Sequence, residues 1–303
     1  MTERETAAVL ARDGETAAIP VRDGDFRLPR RAAESHKGDY GRLLILGGCV
    51  GYTGAPTLCA RAAVRSGAGL VYLGVPSPIY SITAVKNDEA MPFPLPAGAD
   101  GKLAPAAAAE ALERAAGCNV CAVGPGLGRG PGASELLRAL LTLPARIPLV
   151  IDADGLNALA ECPELLDRRE GTTVLTPHEG EFLRLGGVLT GDRAADARRF
   201  ALEHGCVLLL KGHRSVAAFP DGTAYVCTRG NPGMAKGGSG DVLTGVLGAM
   251  LCQLPDRRRA VLTGMYLHSL AGDLCAGRLG EYAMTASDLI ETLPEATKRM
   301  MED

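Results

Sequence analysis

Nowhere in the 303 residues do about eighteen apolar residues follow one another, which removes a membrane-spanning helix from consideration. The start, MTERETAAVLARDGETAAI, is polar and acidic and lacks the basic-then-apolar order of a secretion signal, so secretion is not indicated. Charge of one sign is missing too: 32 Lys and Arg stand against 35 Asp and Glu, for a net charge of −3. With no basic face, the chain carries no electrostatic footprint for nucleic acid or an anionic membrane, and small molecules are the expected partners. The Walker order Gly-x-x-x-x-Gly-Lys-Ser/Thr is absent, which disfavours a P-loop nucleotidase. Tryptophan is absent altogether.

What is present reads as one large globular domain. Hydrophobic residues make up 47% and charged residues 22%, enough apolar material for a sizeable core. Glycine reaches 39 residues, about twice its usual share of roughly 7%, and marks backbone that turns sharply or approaches a ligand. The nine cysteines fall mostly inside apolar runs without a regular framework, which predicts reduced core thiols and a cytoplasmic protein. Cys118 and Cys121 have the C-x-x-C spacing but lie in a strand-like run with no second pair, so a metal or redox role is not expected.

Short apolar runs recur, each followed by a turn and a segment of helical periodicity, an alternation that predicts an α/β fold with a mostly parallel sheet flanked by helices. The clearest strands are 42–46, 70–75, 120–123, 148–151, 173–175 and 206–210, nearly all continuously apolar as strands covered on both faces must be. Two further runs, 215–219 and 223–228, flank Pro220-Asp221-Gly222 and read as a hairpin. After Gly240 the spacing is helical to the end, and 91–102, MPFPLPAGADGK, reads as a surface loop.

The strongest local signal is GNPGMAKGGSGD, from Gly230 to Asp241, leading directly into an amphipathic run. Such a loop presents unpaired N–H groups and the positive end of a helix to phosphate oxygens. Asp241 falls in the first turn, where an aspartate can also serve as a cap. Four more strand ends bring polar or glycine-rich segments to the same edge, where ligands bind in open parallel sheets: Gly124–Gly130, Asp152–Asn157, Thr176–Glu181 and Lys211–Ser215. Gly47, Gly48 and Gly51 follow the first of the clear strands without the spacing of a dinucleotide fingerprint. In TPHEGE, Thr176 as cap, Pro177 at the first helical position and Glu179 three residues on make a capping box, whereas His178 has no evident packing task and is a candidate for substrate contact. Asp152 and Asp154 read either as strand-end and cap residues or as carboxylates holding Mg²⁺ through water, and Lys211 as a phosphate contact.

With these residues in order, KGDYGRLLILGG with YTGAP, then GPGLG, DADGLN, LTPHEGE, LLLKG and GNPGMAKGGSGDVLTG, the chain resembles the NAD(P)H-hydrate dehydratases of the ribokinase-like superfamily from His36 to near its end. The resemblance implies a ribokinase-like three-layer sandwich over 36–303, preceded by a partly flexible extension, 1–35. It implies a nucleotide donor, ADP or ATP, and Mg²⁺, used to phosphorylate the ring hydroxyl of the S-epimer of NADHX or NADPHX, after which phosphate leaves and NADH or NADPH is restored. Residue by residue, it places Ala55, Gly126, His178 and Asp241 on the hydrate, with Asp241 as the base on the attacked hydroxyl. Lys211, Gly212, His213, Arg214 and Ser215, with Gly237, Gly238, Ser239 and Gly240, fall on the nucleotide. Asp152, Asp154, Asn157 and Glu181 stand behind these residues or reach the metal through water, and no direct metal ligand is assigned. Relatives often carry a fused epimerase domain, for which the residues before His36 are too few, so epimerisation is expected of a separate enzyme; a homo-oligomer, a tetramer in the family, is also expected. Two rival readings remain, a ribokinase-like kinase of a small alcohol such as a vitamin precursor, and a non-catalytic nucleotide-binding module.

Overall fold

The computed structural model describes residues 18–301 and, with them, a ten-stranded sheet in the order β1-β10-β9-β8-β7-β6-β5-β2-β3-β4. The strands are β1 Ile19–Val21, β2 Arg42–Leu46, β3 Leu70–Pro76, β4 Met91–Leu95, β5 Val120–Val123, β6 Leu149–Ile151, β7 Thr173–Leu175, β8 Val207–Leu210, β9 Val216–Ala218 and β10 Ala224–Cys227. Every pairing is parallel except the two that β9 makes with β8 and β10, so β9 alone runs backwards. From β2 the chain first moves outward through β3 and β4, then returns to β5 on the other side of β2 and continues outward to β10. Strand order therefore reverses between β2 and β5, the position at which ligands gather in open α/β sheets, and the loops leaving these two strands are tied together there by Gly48 N–H donating to Pro125 C=O at 2.9 Å.

Helices cover both faces, giving three layers. On one face lie α1 Gly54–Arg65, α9 Ser239–Gln253, α10 Arg257–Leu279 and α11 Ala286–Met301, whose apolar residues share a core with Leu43, Ile45, Val150 and Val174. On the other lie α3 Ala107–Ala116, α4 Pro131–Leu140, α5 Asp154–Leu159, α7 Glu179–Arg184 and α8 Arg193–His204, packed on Leu44, Leu46, Ile151 and Leu208. Neighbouring strand residues alternate between the two cores, the period-2 rule, and because both faces are covered the strands read as unbroken apolar runs. Two short helices, α2 Tyr80–Lys86 and α6 Glu164–Asp167, complete the set.

The structure departs from the sequence reading in three places. Residues 91–95, read as loop, form the edge strand β4, parallel to β3. Pro92 and Pro94 are tolerated because an edge strand pairs on one side only. Residues 19–35, read as part of an extension, add β1 beside β10, and their Val21, Phe26 and Leu28 join the core while Leu28 N–H donates to Met300 C=O at 3.1 Å. The rest of that extension, residues 1–17, lies outside the described residues. The helix after β7 starts two residues later than expected, as described below. The nine cysteines are free, and burial pushes the Cys118 thiol up to about 11, consistent with packing and not with redox chemistry.

Helix α9 descends through the core against α1, with no charged side chain after Asp241. Gly245 permits the contact: a methyl group there would stand 2.1 Å from the carbonyl oxygen of Cys59. Gly245→Ala must therefore push two helices apart, and is expected to cost at least about 2 kcal/mol in urea unfolding; an unchanged midpoint would show that α1 can retreat freely.

Candidate functional site

The loops at the carboxyl ends of β5 to β8 meet the start of α9, and one buried ion pair joins them. Lys211, at the end of β8, places its ammonium 2.7 Å from Asp152 Oδ1 at the end of β6, and 3.8 Å from Glu181 Oε2. Asp152 is 1% exposed, and its other oxygen accepts from Thr244 Oγ1 at 2.8 Å. Strand β6, strand β8 and helix α9 are thus fastened through two carboxylate oxygens, both of which are engaged. Burial alone would lower the Lys211 pKa, but the charges of Asp152 and Glu181 and the hydrogen bond to Asp152 outweigh it and raise it, so the ammonium stays charged.

The glycine-rich loop closes over this pair. Gly238 caps α9 with φ of 98°, a left-handed conformation that strains other residues, and Asp241 is the third helical residue. Gly240 packs on the ion pair, the position of a methyl there lying 3.4 Å from Lys211 Nζ. Lys236 pins the loop from outside, donating to the carbonyls of Tyr282 and Met284 at 2.5 and 2.8 Å. From inside, buried His268 on α10 lies 2.9 Å from the Ser239 carbonyl; burial pushes its pKa down to about 4, so the neutral ring donates from Nε2. Asp241 is half-buried, and its carboxyl is raised to about 7 by burial and the charge of Asp152, against the pull of Lys211.

A cavity of ≈ 630 Å³ opens beside this helix start, lined by Lys211 to Ser215 on one side and Asn231 to Gly240 on the other, with His178 at its margin. All five residues of the Lys211–Ser215 segment reach it, as do Gly237, Ser239 and Gly240. The volume suits a nucleotide-sized ligand, and Ser239 and Gly240 at the start of α9 are part of its lining, where a helix N-terminus favours an anion. Ala55 and Gly126 meet elsewhere, where the loops after β2 and β5 touch, and a methyl on Gly126 would be 3.1 Å from Ala55 Cβ. Asp154 and Asn157 tie the loop after β5 to the start of α5: Asp154 accepts from Gly128 N–H at 2.8 Å and from Asn157 Nδ2 at 3.1 Å.

His178 has a packing task after all. It is the cap of α7, its Nδ1 accepting from Gly180 and Glu181 N–H at 3.0 and 3.2 Å, and Glu181 returns the bond by accepting from His178 N–H at 2.9 Å. The capping box is therefore His178 with Glu181, not Thr176 with Glu179. Thr176 instead continues the strand edge, its hydroxyl donating to Ile151 C=O at 3.3 Å, and Pro177 C=O accepts from Lys211 N–H at 2.8 Å. With Nδ1 engaged, Nε2–H is left 3.5 Å from Glu181 Oε1, beyond hydrogen-bond length, on a ring that is more than half exposed. Thr244 and His268, both in the site, went unread in the sequence because each looks like an ordinary helix residue until α9 and α10 are placed.

Residues 43–295 match the family model described as NAD(P)H-hydrate dehydratase. The chain belongs to the NAD(P)H-hydrate dehydratase family. It is 46% identical over 281 residues to the bifunctional NAD(P)H-hydrate repair enzyme Nnr of Moorella thermoacetica, covering 91% of this chain and 53% of that protein. It is 37% identical over 277 residues to the ADP-dependent (S)-NAD(P)H-hydrate dehydratase of Bacillus subtilis, covering 90% and 94%. The chain thus spans about half the length of the bifunctional relatives and nearly all of the shorter one. The crystal structure of the ADP/ATP-dependent NAD(P)H-hydrate dehydratase from B. subtilis, co-crystallised with ATP/Mg²⁺, superimposes with a TM-score of 0.76 at 34% identity, over 90% of this chain and 95% of that one. The fold of this dehydratase-family chain is ribokinase-like.

Two predictions follow from the family site as built here. Because the Asp241 pKa is higher folded than unfolded, the native state holds the extra proton between pH 3.8 and about 7, and stability falls as pH rises through that window. Asp241→Asn removes this titration and is expected to gain on the order of 1–3 kcal/mol over wild type at pH 8 but not at pH 4; equal differences at both values, in urea titrations, would contradict the raised pKa. For His178, Asn keeps the cap and Ala loses it, at about 1 kcal/mol. Substrate contact through Nε2 predicts a raised hydrate KM in both variants, whereas a purely capping role predicts a wild-type KM in His178→Asn.

Proposed function

We propose that the chain is an ADP- or ATP-dependent dehydratase of the S-epimer of NADHX and NADPHX, restoring NADH and NADPH. The observation that carries the reading is Asp241, a carboxyl raised to about 7, on the first turn of a helix whose Ser239 and Gly240 line the cavity and whose Thr244 donates to Asp152, the partner of Lys211. A carboxylate of that basicity can take the proton of a hydroxyl as the hydroxyl oxygen attacks the terminal phosphorus of the nucleotide. The α9 N–H groups and Lys211 then stabilise charge on the transferred group. Phosphate leaves with the C–O bonding pair, the ring loses a proton, and the double bond of the reduced nicotinamide is restored. The net change is loss of water from the hydrate, with the nucleotide split into the next lower nucleotide and phosphate.

The hydrate is expected on Ala55, Gly126, His178 and Asp241, next to the nucleotide cavity that His178 borders. Mg²⁺ fits this site as an ion carried by phosphate oxygens: among the described residues no three His, Cys, Asp or Glu converge on one point, and both oxygens of Asp152 are taken. Bound so, it would neutralise charge on the transferred phosphoryl group. The protein oxygens nearest are expected to reach it through water.

The test is absorbance at 340 nm with chemically hydrated NADH, Mg²⁺ and either nucleotide. A nucleotide-dependent rise in wild type, lost by at least about a thousandfold in Asp241→Asn with nucleotide still bound, is expected for a base of this kind. The wild-type rate is expected to climb through pH about 7 as Asp241 gives up its proton. A stable phosphorylated product without absorbance gain would instead make the chain a kinase of another small alcohol, and nucleotide binding without any turnover a binding module.

A further inference from the structure

The segment that lines one side of the nucleotide cavity has almost no side-chain anchorage of its own. After Lys211, Gly212, His213 and Arg214 are exposed, and Arg214 stands at φ of 56°, a left-handed conformation unusual for a residue with a side chain. Such a loop keeps one shape only if something holds its carbonyls. Arg193 does so. It is the first residue of α8, held in place by the Asp192 cap, whose Oδ1 accepts from Ala194 and Ala195 N–H at 3.0 Å each. Its Nη1 donates to His213 C=O at 2.7 Å and Arg214 C=O at 3.3 Å, and its Nη2 to Lys211 C=O at 2.9 Å and Leu210 C=O at 3.3 Å. The guanidinium lies so close on Gly212 that a methyl there would meet Nη2 at 2.6 Å. Its Nε faces Glu179 Oε1 at 3.1 Å, on the helix that His178 caps.

We propose that Arg193 is a positioning residue of the nucleotide site, shaping the Lys211–Ser215 loop through four backbone carbonyls without touching the reacting atoms. The inference rests on the nucleotide reading above and adds a residue that nothing in the motifs points to. The fork geometry matters: a planar guanidinium reaches carbonyls on both sides of Gly212 at once, which a single ammonium does not. Lys211 keeps its own anchor on Asp152, so losing Arg193 loosens 212–215 while leaving the ion pair and Asp241 in place. Nucleotide affinity is the quantity that moves, and hydrate affinity the one that does not.

The experiment compares wild type, Arg193→Ala and Arg193→Lys by calorimetric titration with Mg²⁺-ADP and Mg²⁺-ATP, then by turnover at saturating nucleotide, with thermal unfolding alongside. From charge-assisted bonds, Arg193→Ala is expected to weaken nucleotide binding by about tenfold or more. Arg193→Lys falls between, with hydrate KM within about twofold of wild type in either. Lysine preserves the charge beside Glu179 and the start of α8, so if the alanine variant does not fold, the lysine variant decides. Wild-type nucleotide affinity in Arg193→Lys overturns the proposal, as does an equal rise in Kd for nucleotide and KM for hydrate, which would signify general loosening. A wild-type protein that binds neither nucleotide overturns the underlying reading itself.

Discussion

The pair Lys211–Asp152 is the constraint on which the rest of the site depends. Two opposite charges sit where four strand ends and a helix start converge, and each has a third partner, Glu181 for the ammonium and Thr244 for the carboxylate. Pairs of this kind contribute little by replacing water with one another, but removing one partner strands a buried charge at a cost of about 3–5 kcal/mol. The pair therefore sets position more than stability: α9 can enter the core only with Thr244 on Asp152 and Gly240 against Lys211. Because the glycine-rich loop ends in that same first turn, the N–H groups of the helix start inherit their placement from it. Asp241 inherits its raised pKa from the same neighbour, since the charge of Asp152 is the second cause of that shift after burial.

Much of this was legible in the sequence because the site hangs on segments whose chemistry is local. Strands buried on both faces show as short apolar runs, and the rule that ligands gather at carboxyl ends turned four such runs into one edge. The residues Lys211 to Ser215 stand with Gly237, Ser239 and Gly240 around one cavity for that reason, whereas Gly238 is packed against Leu58 and Ala286 and is not part of its lining. What stayed hidden depends on distance in the fold. Arg193 acts on a loop about twenty residues away in sequence, and His268 touches Ser239 only because α10 runs back beside α9. Strands β1 and β4 were hidden by composition: each is short and holds proline in its middle, which a strand at the sheet edge tolerates.

The His178 segment shows how a local rule can be right in kind and wrong in register. Thr176-Pro177 followed by Glu179 satisfies the capping pattern as written. The pattern lost to the sheet. Thr176 is fully buried and donates to Ile151, and Pro177 offers its carbonyl to Lys211, so both residues remain in the extended edge that carries β7. The helix can begin only after them, and the next residue able to accept two N–H bonds is His178. The ring's structural role thus follows from strand pairing, and it leaves Nε2 3.5 Å from Glu181 Oε1.

The charges around the helix start are divided between its two sides. Behind the first turn stand three carboxyls, Asp152, Glu181 and Asp241, beside the ammonium of Lys211. The cavity in front has Lys211, Arg214, Arg229 and Lys236 in its lining and no carboxylate, so an anion entering it meets positive side chains as well as the positive end of α9, roughly half an elementary charge. Asp241 is raised to about 7, and near neutral pH it is poised between its two states. A negative charge brought close to it favours the protonated carboxyl, and a cation that neutralises that charge favours the ionised one. The charge state of whatever fills the cavity and that of Asp241 are in this way coupled, across the single turn of helix that separates Gly238 from Asp241.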